Sequence, residues 1–162
     1  MEKAIRVGIV GSGNAAAFHY ASYLRVTGIR VKVVGVTSLD KIHRETFAES
    51  RGIKAFASLA EMLPEVDLID NCAPGYAHEP VCVAAFEAGK HVIVEKPFTG
   101  YYGPPKDEAF DGNRFSKEKM LDEALASARR IIAAEGVRSR AVRARWPRRA
   151  GSGSPGPAPA GG

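Results

Sequence analysis

Hydrophobic positions along this chain gather in short dense runs separated by longer mixed segments. Residues 4–10 hold Val7, Ile9 and Val10, residues 31–36 read Val-Lys-Val-Val-Gly-Val, and Leu68–Asn71 and His91–Val94 are short apolar runs. Runs this short, with β-branched residues on both faces, are how strands covered by helices on both sides read. Between them the spacing turns helical over residues 15–24, 41–49 and 79–88, with a helical turn at 58–63 and a brief strand at 54–56. Strands alternating with helices predict a parallel sheet with right-handed crossovers, a doubly wound α/β domain. Gly28, Gly52 and Gly89 follow three of the predicted helices, where a left-handed cap is expected. Residues 98–113 form a turn-rich insertion. Beyond it Met120, Leu121, Ala124, Leu125, Ala128, Ile131 and Ile132 recur on one face of a helix over 117–134.

Two motifs sit at strand ends. The first strand runs into Gly11-Ser12-Gly13-Asn14-Ala15-Ala16, a Gly-x-Gly-x-x-Ala turn. Gly11 permits the tight turn, Gly13 lets the backbone approach a pyrophosphate, and Ala16 lets the helix pack closely on the strand. The unpaired N–H groups of that helix then face the phosphates. The last strand ends in Glu95-Lys96-Pro97. A charged pair there lies at the carboxyl edge of the sheet, where open α/β sheets bind ligands, and Pro97 stiffens the turn. Its plainer reading is a solvated turn with a surface ion pair.

Together the motifs resemble the N-terminal half of the glucose-fructose oxidoreductase and inositol dehydrogenase family (Gfo/Idh/MocA) over about residues 4–135. The resemblance rests on Val7-Gly-Ile-Val-Gly-Ser-Gly-Asn with His19 in the next helix, Asp67-Leu-Ile-Asp-Asn-Cys-Ala-Pro with His78 beyond it, and Ala88-Gly-Lys-His-Val-Ile-Val-Glu-Lys-Pro. It implies a Rossmann domain binding NAD or NADP, and a second domain that supplies most of the substrate pocket and often mediates oligomerisation. It also implies hydride transfer to or from a hydroxyl or carbonyl of a sugar- or inositol-like substrate. By the same resemblance Gly11, Gly13 and Asn14 hold the pyrophosphate, Ala73 and Pro74 line the cofactor, and Glu95 and Lys96 lie beside the nicotinamide. Lys96 is then the catalytic candidate, its charge steadying developing alkoxide character and relaying a proton. His78 is either a cofactor or substrate contact or a structural histidine, and His19 is more naturally a packing or cofactor-side residue than a catalyst.

Cofactor choice turns on the end of the second strand, where an acid accepting from the ribose hydroxyls favours NAD. That position is Ser38, which does not repel a 2'-phosphate, and Lys41 and Arg44 offer positive charge. Asp40 argues the other way. Both NADP and NAD are admitted, with NADP favoured.

Cys72 and Cys82 lack the spacing of a metal site or disulfide framework. No membrane segment or signal peptide is recognisable, so a cytoplasmic protein is expected. The net charge of +5 does not belong to the domain: residues 1–135 carry 17 Lys and Arg against 18 acids, and residues 136–162 carry six Arg and no acid. Gly, Ala, Arg and Pro fill 21 of those last 27 positions. A disordered tail out of the native reading frame is expected from Gly136, leaving a cofactor domain without its substrate domain and with negligible turnover of its own. The alternative is a non-catalytic nucleotide-binding module whose basic tail contacts nucleic acid. Against it stands the lack of interleaved aromatics, Trp146 excepted.

Overall fold

The computed structural model describes residues 4–104 and 109–145. In chain order the elements are β1 (Ile5–Val10), α1 (Asn14–Tyr23), β2 (Val31–Thr37), α2 (Lys41–Glu49), β3 (Lys54–Ala55), α3 (Leu59–Met62), β4 (Leu68–Asn71), α4 (His78–Glu87), β5 (His91–Val94) and α5 (Lys117–Arg145). Short 3-10 turns precede β4 and α4. The sheet runs β3-β2-β1-β4-β5 with every neighbouring pair parallel. The fold is therefore the α/β Rossmann type the sequence predicts. Strand order reverses at the β1/β4 boundary, which places the ligand crevice over the carboxyl ends of those two strands.

Each face of the sheet carries its own core. Val7, Ile9, Ala16, Val36, Phe47 and Ala48 pack on the α1 and α2 side. Val10, Phe56, Met62, Val66, Ile69, Val81 and Ala85 fill the other. Two glycines let that second core close on the sheet: a Cβ on Gly8 would meet the Met62 sulfur at 2.7 Å, and one on Gly35 would overlap the Phe56 ring. They face each other across a register shift, since Val7 pairs with Val33 and Gly8 with Gly35.

Gly28, Gly52 and Gly89 all take positive φ, as expected after helices. The insertion is partly visible, with 105–108 outside the described residues. Tyr101 packs the loop, its ring edge-on to Phe110 and tilted against Phe115 with centroids 5.2 and 5.3 Å away. Tyr102 lies on Gly75, where a Cβ would overlap its hydroxyl, and the Thr99 hydroxyl ties the loop to α5 by donating to the Ala124 carbonyl at 3.0 Å.

The compositional change at Gly136 does not end helical backbone, because α5 continues to Arg145. Ala and Arg are strong helix formers, and one interior glycine costs only about 1 kcal/mol. The rest of the expected disordered tail, 146–162 with Trp146, lies outside the described residues. No helix among the described residues is long and apolar enough to cross a membrane.

Candidate cofactor site

Gly11 leaves β1 at φ +103°, and a Cβ there would lie 2.7 Å from the Cys72 carbonyl oxygen. Only glycine lets the turn pass this close to the end of β4. Gly13 is the N-cap of α1 and has no heavy atom within 4 Å of where its Cβ would stand. Its open side faces a cavity of about 700 Å³ whose wall includes Gly11, Gly13, Asn14, Ser38, Ala73 and Pro74. Six of the residues singled out in the sequence thus share one wall.

Capping marks the binding end of the cavity. α2 is capped by Asp40, whose carboxylate accepts from the His43 N–H at 2.9 Å, and α3 by Ser58, which accepts from the Glu61 N–H. α1 has no side-chain cap and no acid in its first turn. Its first N–H groups and positive dipole end are left for an anion. An open Gly13, an uncapped helix and a turn closed by glycine fit a dinucleotide pyrophosphate.

At the β2 end, Ser38 is 2.9 Å from Ser12 through their hydroxyls. Asp40 is committed to its cap, and the His43 N–H holds its pKa below the usual carboxylate range. Arg44 is buried and donates from Nη1 to the Ser38 carbonyl at 2.8 Å, while its Nε has no partner among the described residues. Leu39 and Tyr76, 90% and 57% exposed, also line the cavity. Sequence reasoning missed both, because an exposed apolar side chain in a loop has no periodicity to reveal it.

The β5 end differs from what the motif implies. Lys96 is exposed, and neither it nor Glu95 belongs to the cavity wall. Glu95 turns back toward α1, where its Oε1 meets His19 Nε2 at 2.9 Å. His19 Nδ1 lies 2.9 Å from Oδ2 of Asp70, a side chain with 0% exposure. Tyr23 donates its hydroxyl to the same oxygen at 2.9 Å, and Cys72 Sγ is 3.4 Å from His19 Nδ1. Burial alone would depress the His19 pKa, but hydrogen bonds and charge from Asp70 and Glu95 outweigh it and raise it. Burial and the Asp70 charge push the Tyr23 and Cys72 pKa values up, so both stay neutral. The His19, Asp70 and Cys72 donor atoms lie within 4.8 Å of one another, a grouping that cysteine spacing concealed.

His78 is buried, with Nδ1 2.9 Å from the Pro97 carbonyl and Nε2 3.0 Å from the Ala73 carbonyl. Both ring nitrogens are taken by backbone, and the ring is not in the cavity wall. It ties the exit of β4 to the exit of β5.

The fold and cavity agree with the comparisons. This chain belongs to the Gfo/Idh/MocA oxidoreductase family, whose NAD-binding Rossmann fold matches residues 5–107. It is 30% identical over 95 residues to UDP-N-acetylglucosamine 3-dehydrogenase of Acidithiobacillus ferrooxidans, covering 59% of this chain and 29% of that protein. With an inositol 2-dehydrogenase of Corynebacterium glutamicum it shares 34% over 103 residues, covering 61% of this chain and 30% of the other. The solved WlbA dehydrogenase of Bordetella pertussis, in complex with NADH and UDP-GlcNAcA, superposes with a TM-score of 0.65 at 20% identity, over 86% of this chain and 34% of that one. That last likeness is one of fold. The chain spans under a third of the length of the two dehydrogenases it matches.

Proposed function

We propose that this domain is the cofactor half of a dehydrogenase acting on a hydroxyl or carbonyl of a sugar- or inositol-like substrate. The observation that carries the reading is the uncapped start of α1 over Gly13, open to the cavity at the point where strand order reverses. The dehydrogenases of sugars and inositol among its relatives support the substrate class.

A bound nicotinamide dinucleotide supplies or accepts the hydride. The chain's own residues do the rest. Gly13 and Asn14 receive the pyrophosphate through backbone N–H groups above the turn that Gly11 makes possible, its own N–H being held by the Thr37 carbonyl at 2.7 Å, and Ala73 and Pro74 close the wall at the end of β4. Lys96, on the stiff turn before Pro97, offers its ammonium to the substrate oxygen and steadies negative charge there as the C–H bond is made or broken. Ser38 presents no acid to a 2'-phosphate and Arg44 holds positive charge beneath the same turn, which favours NADP over NAD. The two free cysteines are compatible with a reducing cytoplasm.

Fluorescence titration with NADH and NADPH tests the reading. Saturable binding of either, lost in Gly13→Asp, is expected. Absence of saturation at millimolar concentrations of both contradicts it.

A further inference from the structure

Glu95 and Lys96 are neighbours, and the sequence offers them to each other as an ion pair. The structure gives the Glu95 carboxylate other hydrogen-bond partners. Successive residues of an extended strand point to opposite faces, and Glu95 follows Ile93 toward the α1 side, where His19 meets it at 2.9 Å. Its second oxygen accepts the backbone N–H of Lys96 at 3.1 Å, so both carboxylate oxygens are occupied. The Lys96 ammonium makes no hydrogen bond or ion pair among the described residues and acts on Glu95 only as a nearby charge.

We propose that His19 is a positioning residue, which by holding the Glu95 carboxylate on the α1 side of the sheet keeps the Lys96 ammonium unpaired and available to a substrate oxygen. The inference rests on the reading of Lys96 given above.

Three features make His19 suited to this. Its ring spans two carboxyl groups on different strands, Asp70 of β4 through Nδ1 and Glu95 beyond β5 through Nε2. Carboxylate oxygens only accept, so both contacts are satisfied when each ring nitrogen carries hydrogen. Asp70 cannot follow a moving ring, because it is buried in the sheet and its Oδ2 also takes the Tyr23 hydroxyl. And His19 lies on α1, so the helix that presents Gly13 and Asn14 to the phosphates also holds back the acid beside Lys96.

Selective acylation tests this on the chain as it stands. The protein is treated with limiting acetic anhydride, and modification of Lys96 is followed by peptide mass spectrometry with Lys32 as internal reference. In His19→Ala the released Glu95 is expected to pair with Lys96 and slow its acylation several-fold. The double variant His19→Ala/Glu95→Gln is expected to return to the wild-type rate. Glu95→Gln alone, which does not depend on His19→Ala folding well, is expected to raise the rate only slightly, by loss of a nearby negative charge. Lys96 acylation several-fold faster in Glu95→Gln would mean that the two are already paired, and the proposal fails. It fails equally if His19→Ala folds and Lys96 reacts at the wild-type rate, or if the double variant stays slow. Cofactor titration of the same wild-type sample keeps the two questions apart: absent NADH and NADPH binding defeats the proposed function, whereas an unchanged acylation pattern with intact binding defeats only the role of His19.

Discussion

Gly11 and Gly13 stand two residues apart and answer to different constraints. At Gly11 the constraint is internal: a side chain would need a strained φ of +103° and would meet the Cys72 carbonyl. Gly11→Ala is therefore expected to destabilise the fold by at least about 1–3 kcal/mol, read from urea unfolding. At Gly13 the constraint is the ligand. Aspartate is a favoured N-cap residue, so Gly13→Asp is expected to keep the wild-type unfolding midpoint or improve on it slightly while placing a carboxylate where the pyrophosphate goes. Binding lost without stability lost is the signature. Arg44 offers a third test, because its guanidinium sits beneath the Ser38 turn and its positive charge matters most to a ligand bearing a 2'-phosphate. Arg44→Gln is expected to weaken NADPH binding and spare NADH binding. Equal weakening of both would mean that Arg44 supports only the turn.

At the scale of elements, α1 is the keystone, since its first turn faces the cavity and its His19 reaches both β4 and β5. That geometry makes stability depend on pH in a definite direction. The folded-state His19 pKa is raised above its unfolded value of about 6.5. Its contribution is fully present below the unfolded pKa and is lost as pH rises through the folded one. The groups facing it are Asp70 and Glu95, with Tyr23 and Cys72 neutral in that range. Wild-type stability is therefore expected to fall from about pH 6.5 upward relative to His19→Ala, and parallel unfolding curves across that range would contradict it. At the far side of the sheet, α5 is held by buried Ile131 against α4 and by Arg130 paired with Glu79. Ile131→Ala is expected to cost about 2–5 kcal/mol by leaving a cavity. The strands were legible in the sequence because a buried parallel strand is apolar on both faces, and the glycine turn because its spacing encodes backbone geometry. The His19 network was not, since its partners lie 51 and 76 residues away and no periodicity links them. Nor was the turning of Glu95 away from the cavity, for a motif names residues and not the faces of the strand they leave.

For the whole molecule, one sheet, two cores and a cavity over the β1/β4 reversal make a Rossmann domain of the Gfo/Idh/MocA family. No lysine or arginine lines the cavity among the described residues, so at the pyrophosphate end the affinity for an anion comes from helix dipole and backbone N–H groups. Salt should then weaken cofactor binding far less than it weakens a cluster of lysines holding phosphate through side-chain charge alone. Fluorescence titration of the purified chain with NADH and NADPH, beside Gly13→Asp, tests the central claim most directly. Saturable binding by the wild type, absent from a Gly13→Asp protein that unfolds at the same urea concentration or higher, is the predicted result. Undiminished binding by Gly13→Asp, or none by the wild type, would contradict it.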